Sequence, residues 1–195
     1  MAKRRLLFGT RNKNKLEEIR QIVDSSFDIA SLADIGLDMD VEETEPTIAG
    51  NAILKVKAYY EASGIPTFAD DTGLEVDALD GAPGVYSARY AGPGATYSSN
   101  VEKLLAALEG EQKRTARFRT VIAYYDGKDL HTFEGIVEGV ITDEPRGVGG
   151  FGYDPVFLPE AYEETFAEMP SEDKHTISHR GRAIRKFAHY LIQLP

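Results

Sequence analysis

The order of apolar runs constrains this chain more than any single motif. Strand-like runs and helix-spaced runs follow one another, some strands adjacent and others separated by helices. "RRLLFGT" (residues 4–10) reads as a strand, and "NKLEEIRQIV" (14–23) places Leu16, Ile19 and Val23 at helical spacing with charges between them. "FDIASL" (27–32) is a second strand candidate, followed by a polar loop from Ala33 to Thr47 with the acidic run "DVEETE". "IAGNAILKVKAYYEASG" (48–64) is a helix stopped by Gly64 and Pro66. "TFA" is a strand that delivers Asp70 and Asp71 at its end, and "LEVDAL" is a separate one. "GAPG" and "AGPG" mark turns around "VYSARY". "SSNVEKLLAALEG" is a helix with a Ser cap, and residues 114–142 read as a long hairpin turning at "DG". The last helix, "SHRGRAIRKFAHYLIQ", puts Ile184, Phe187, Ala188 and Leu191 on one face. The fold class expected is α/β (mixed α+β) with a mixed sheet flanked by helices. No repeat, low-complexity stretch or linker breaks residues 1–195, so one domain is expected.

A formal net charge of −10 argues against broad binding to nucleic acid or an anionic membrane. A polyanionic ligand would therefore need a basic pocket, a divalent metal, or both. The chain has no Cys, which rules out disulfides, thiolate metal sites and a cysteine nucleophile. The start, "MAKRRLLFGTRNKNK", imitates a signal peptide only briefly, and no apolar stretch approaches the roughly 20 residues of a membrane span. A soluble, untargeted cytoplasmic protein is expected.

Four constellations could carry chemistry. "GTRNKNK" contains Thr10, Arg11, Asn12, Lys13, Asn14 and Lys15 at a strand-to-helix junction, where free N–H groups and the helix dipole favour phosphate. An ordinary N-cap with solvated lysines is the alternative. The acidic set of Glu42, Glu43, Asp70 and Asp71 suits Mg²⁺, which takes one or two carboxylates with waters and phosphate oxygens. A solvated loop plus an Asx-turn is the competing account. "GVGGFGYDP" holds a literal G-x-G-x-x-G at Gly147, Gly149 and Gly152, but no strand precedes it and no helix follows, so the dinucleotide reading is rejected. It fits a loop closing on a planar ligand, with Phe151 or Tyr153 to stack, or a tight turn with two core aromatics. In "SEDKHTISHRGRAI", Lys174, His179 and Arg180 lie at or before the last helix, where an anion or a base-edge acceptor would explain Arg180 and a solvated basic patch is the alternative. No zinc-ligand spacing, G-x-S-x-G or Walker A loop occurs.

In this order, "TRNKNK", "EET" with "NAILKVKA", "ADDTGLEVDALDGAPGVYSARYAG", "GGFGYDPVF" and "DKHTISHRGRAI" resemble the inosine triphosphate pyrophosphatase family. The resemblance runs from Gly9 to near the C-terminus. It implies Mg²⁺-dependent hydrolysis of ITP, dITP and XTP to the monophosphate and pyrophosphate. It also implies a homodimer and an elongated mixed sheet with the active-site cleft between two lobes. Matching positions assign Thr10, Asn12 and Lys15, with Lys55, to the triphosphate, and the rest of residues 10–15 to the same contact. Glu43 and Asp71 would serve the metal, Asp71 also as the base that activates water, with Asp70 beside it. Thr72 would touch the nucleotide. Phe151, Gly152 and Tyr153 would hold the base, with Asp154, Lys174, His179 and Arg180 completing the pocket. Three positions depart from the family's usual pattern: Arg11 where Gly is frequent, Gly50 in place of a frequent Glu, and Thr72 for Ser. A pyrophosphatase for other modified nucleotides and a non-catalytic nucleotide-binding module are the rival functions.

Overall fold

The computed structural model describes residues 4–23 and 27–193. Six strands, β1 (Arg4–Phe8), β2 (Phe27–Ser31), β3 (Thr67–Val76), β4 (Thr115–Tyr125), β5 (Leu130–Ile141) and β6 (Phe157–Pro159), lie in the order β2-β1-β3-β4-β5-β6. β1 runs parallel to both β2 and β3, whereas β5 and β6 are antiparallel, so the sheet is mixed as expected. The helices are α1 (Lys13–Ile22), α2 (Ile48–Ser63), α3 (Tyr97–Ala107), α4 (Ser171–Ile177) and α5 (His179–Gln193). The chain forms two compact units: one takes the residues up to Asp71, Thr120–Gly135 and those from Arg180 onward, the other Thr72–Arg119 and Ile136–His179.

In the first unit, β1 is buried on both faces, the usual state of a parallel strand between two neighbours. Side chains alternate along a strand, so Leu6 and Phe8 face one way and Leu7 the other. Leu6 and Phe8 pack with Phe68, with Ile19 of α1, and with Ile184, Phe187 and Leu191 of α5. The register that pairs Phe8 with Phe68 stacks their rings at 4.6 Å. Leu7 joins Leu32 and Tyr59 of α2 on the opposite face. α1 and α5 thus cover one face of this half-sheet and α2 the other. The β4–β5 turn closes as the side chain of Asp126 accepts from the backbone N–H groups of Lys128 and Asp129, at 2.9 and 2.8 Å. Gly127 is required there: its φ is +98°, and a Cβ would lie 2.0 Å from the Tyr60 hydroxyl.

In the second unit one sheet face carries Leu74, Val76, Phe118, Val137, Ile141 and Phe157, packed against Val101 and Leu104 of α3 and its C-cap Leu108. Residues of opposite parity form a charged face, in which Arg119 binds Glu75 at 3.0 Å and Arg117 reaches Asp77 and Glu138, both at 3.0 Å. The cap of α3 lies two residues earlier than the Ser98 that the sequence suggests. Thr96 is the cap, and it exchanges bonds with Ser99 in a capping box.

The structure corrects the reading of residues 67–76. "TFA" and "LEV" are not two strands with a turn between them; β3 is continuous through Asp70, Asp71, Thr72 and Gly73. The aspartates suggested a turn because charge seldom sits inside a buried strand. Here each charge meets partners supplied by helices.

Candidate active site

Strand parity separates the two aspartates. Asp70 shares the face of Phe68, under α1 and α5, whereas Asp71 points to the α2 side. Lys15 of α1 places Nζ 2.9 Å from Asp70 Oδ2, and Arg180, at the start of α5, brings Nε to 3.4 Å from the same oxygen. Arg180 also donates from Nη1 to Glu18 Oε2. All of these side chains are largely or wholly buried. Burial alone would raise the Asp70 pKa, but Lys15 and Arg180 outweigh it and hold the carboxyl well below the usual range. Of the partners open to Arg180 from the sequence, the structure supplies an anion, from Asp70 and Glu18.

The 9–15 segment is organised by its own side chains. Asn12 caps α1, its Oδ1 accepting from the N–H groups of Asn14 at 3.0 Å and Lys15 at 3.3 Å. Thr10 Oγ1 accepts from the Asn12 N–H at 3.2 Å. The basic residues then diverge: Lys15 turns inward to Asp70, Arg11 pairs with the exposed Asp38 at 3.4 Å, and Lys13 is exposed.

On the other face α2 begins at its Thr47 cap and buries Ile48, Asn51, Ala52, Lys55, Val56 and Tyr59. Lys55 Nζ donates to Glu43 Oε1 at 2.7 Å and to Asp71 Oδ1 at 3.2 Å, so one ammonium joins the two carboxylates singled out as metal ligands. Glu42 is exposed and remains an ordinary loop residue. Asp71 Oδ2 is buried with no hydrogen-bond partner among the described residues. Burial pushes the Asp71 pKa up, Lys55 offsets only part of this, and the nearby Glu43 carboxylate adds to it. Four carboxylates, Glu18, Glu43, Asp70 and Asp71, meet three cations, Lys15, Lys55 and Arg180, in these ion pairs. The surplus negative charge lies at the Asp71–Glu43 end. Two convergent carboxylates, an unbonded oxygen and excess negative charge fit a hard divalent cation that keeps several waters.

In the second unit the 147–155 loop leads into a short 3-10 turn at Asp154–Val156 and then β6, with no helix, in line with rejection of the dinucleotide motif. Asp154 organises the loop: Oδ2 accepts from the Phe151 N–H at 2.7 Å and from Lys174 Nζ at 2.8 Å. Gly150 has φ +67°, and a Cβ there would stand 2.1 Å from the same oxygen. Gly152 also adopts a left-handed φ of +64°. Lys174 Nζ lies 5.0 Å from the Phe151 ring centroid, a cation–π distance. Tyr153 is a core residue whose hydroxyl donates to the Ser87 carbonyl at 2.8 Å, and burial pushes its pKa up. Phe151, half-buried, meets the exposed Tyr97 at 6.0 Å, so these two rings, rather than Tyr153, are the accessible aromatics. His179 is buried and stacks on Phe118 at 4.5 Å. Thr72 is half-buried in β3.

Sequence reasoning missed Glu18, Asn51, Ser87 and Tyr97. Glu18 and Asn51 read as ordinary polar positions on helices, and only the placement of Arg180 and of the 43–45 segment exposes their roles. Among the described residues no helix is long and apolar enough to cross a membrane.

A profile of the Ham1 family matches residues 6–190. A dITP/XTP pyrophosphatase of Porphyromonas gingivalis is 51% identical over 189 residues, covering 96% of this chain and 97% of its own. Two solved structures are also similar. The Ham1 protein of Staphylococcus aureus has TM-score 0.88 and 38% identity, covering 96% of this chain and 98% of its own. A HAM1 protein of Coxiella burnetii has TM-score 0.90 and 36% identity, covering 97% and 99%. Family profile, full-length relative and solved folds agree with the motif order, and the chain belongs to the Ham1 family.

Proposed function

We propose that this chain is a nucleoside triphosphate pyrophosphohydrolase that converts dITP, XTP and ITP to the monophosphate and pyrophosphate. The observation that carries the chemistry is Asp71: a buried carboxylate with a raised pKa, an unbonded oxygen, and a shared ammonium that also holds Glu43. The substrate class is supported by the full-length similarity to dITP/XTP pyrophosphatases.

Glu43 and Asp71 would hold Mg²⁺, which when bound neutralises phosphate oxygens and acidifies a coordinated water. Asp71 accepts a proton from the attacking water as its oxygen bonds to the α-phosphorus. The bond from that phosphorus to the bridging oxygen breaks, and pyrophosphate leaves with the electron pair. Lys55 keeps both carboxylates aimed, and its own pKa, which burial would lower, is raised by Asp71 and Glu43 so that it stays charged. Within Thr10 to Lys15, the cations of Arg11, Lys13 and Lys15 serve the phosphates at the start of α1. Asp70 and Arg180 order Lys15 rather than meet the substrate first. Residues 150–154, with Lys174, present backbone donors and the Phe151 ring to the base. A donor aimed at the purine 6-keto oxygen is left unpaired by adenine, which offers an amino group there. We take both units as parts of one catalytic domain, residues 1–195, and the active assembly as a cytoplasmic homodimer; the family resemblance supports both.

The test is pyrophosphate release from dITP, XTP, ITP, GTP and ATP with Mg²⁺. The first three are turned over and ATP is slower by at least about 100-fold. Asp71→Asn abolishes turnover while nucleotide binding survives. Equal rates on ITP and ATP, or full turnover by Asp71→Asn, would defeat the proposal.

A further inference from the structure

Glu43 lies in a loop, yet it must hold its carboxylate on Lys55 with little latitude. The backbone beside it is anchored to α2. Two residues later, the Glu45 backbone N–H donates to Asn51 Oδ1 at 2.9 Å. Asn51 is fully buried on the face of α2 that also carries Lys55, one turn further along. Its Nδ2 is buried and has no partner among the described residues, so the side chain engages through its oxygen, at Glu45. A buried amide with an unsatisfied donor is a cost that an apolar residue at this helix position would avoid.

A second observation converges on the same contact. At Gly50 a Cβ would stand 2.8 Å from Glu45 Cβ and 2.9 Å from Thr47 Oγ1. Gly50 has no left-handed conformation to justify it, and it lies within α2, where glycine weakens a helix. Its use is to let the Glu45 segment close onto the first turn. The departure of this chain at Gly50 thus has a physical reason: the space beside it is filled by the chain's own Glu45.

We propose that Asn51 and Gly50 are positioning residues that dock the 43–45 segment on α2 and thereby present Glu43, beside Asp71, to the divalent cation. The inference rests on the metal reading given above. Residues that orient a ligand without touching the metal typically change metal affinity by about 10–100-fold when removed.

The test is Mn²⁺ binding to the whole chain, followed by the electron paramagnetic resonance signal of free Mn²⁺. Asn51→Ala weakens binding about 10–100-fold. Gly50→Ala, which leaves Asn51 in place, shifts it in the same direction. In a Glu43→Gln background Asn51→Ala adds less than about 2-fold, because residues acting through one group are not additive. Asn51→Asp keeps an oxygen for the Glu45 N–H and binds at least as tightly as wild type; this variant decides the matter if Asn51→Ala does not fold. An Asn51→Ala affinity within about 2-fold of wild type overturns the proposal. So does an equal loss in both backgrounds, or an Asn51→Asp variant as weak as the alanine. A wild-type chain that binds no Mn²⁺ sinks the metal reading itself, a separate outcome.

Discussion

Asp70→Asn removes one charge from the most enclosed ion cluster of the first unit. Side-chain exposure is 0% for Asp70, 14% for Lys15 and 3% for Arg180. At 2.9 Å the Lys15 contact has a Coulomb energy of roughly 6 kcal/mol at an effective dielectric of about 20, before the desolvation of both groups is subtracted. Removing one partner of a buried pair costs about 3–5 kcal/mol. Arg180 keeps Glu18, and the asparagine oxygen can still accept from Lys15, which together favour the lower end. About 3 kcal/mol in a chain of 195 residues lowers Tm by about 6–12 °C. The comparison is Asp28→Asn, whose partner Arg5 lies 3.7 Å away with both side chains more than half exposed, and which shifts stability by less than about 1 kcal/mol. Calorimetry at neutral pH measures both variants. The sign of the pH dependence follows from the depressed folded-state pKa of Asp70. Its contribution is complete above the ordinary value of 3.8 and is lost as pH falls below it, so the gap between wild type and Asp70→Asn closes in acid. An Asp70→Asn loss no greater than that of Asp28→Asn, or a gap that widens in acid, would refute the buried-cluster argument.

Three further outcomes are expected. Tyr153→Phe strips one of two donors from the Ser87 carbonyl, which keeps Asn100 Nδ2, and costs about 0.5–1.5 kcal/mol in urea denaturation without raising KM for dITP; a raised KM with unchanged stability would place the ring at the ligand instead. Gly150→Ala forces a left-handed φ and pushes on the Asp154 carboxylate, costing about 1–3 kcal/mol and raising KM as Lys174 loses its anchor. Chelation with EDTA stops pyrophosphate release and Mg²⁺ restores it; turnover that survives chelation would remove Glu43 and Asp71 from any metal role.

The alternation of elements was legible because amphipathic spacing is local: Leu16 and Ile19, then Ile184, Phe187 and Leu191, face the core as their periodicity requires. The long β4–β5 hairpin was legible for the same reason. β3 was misread at Asp70 because the cations that make charge tolerable there come from other elements. Arg180 reaches Asp70 across 110 positions of sequence and Glu18 across 162, distances at which spacing carries no signal. Tyr153 and Phe151 are alike in composition and separated by one residue, yet one is core and the other accessible. Their difference is set by the left-handed glycines between and before them, and by a carbonyl at Ser87 that no local pattern announces. Asn12 shows the reverse case, where local chemistry was enough: a capping side chain does what its position predicts.

β3 also sets a limit on how this sequence can change length. Asp70 and Asp71 are the same residue type, and only their odd or even position along the strand tells them apart. One residue inserted or deleted between Phe68 and Asp70 would exchange their faces. An insertion would set one aspartate opposite Lys55 and carry the other one strand period past the position that faces Lys15 and Arg180, leaving those cations without their carboxylate. Exposed loops away from the site can gain or lose residues and be repaired by rearrangement. β3 has no such freedom, so its count of residues is part of the site's chemistry as much as their identity.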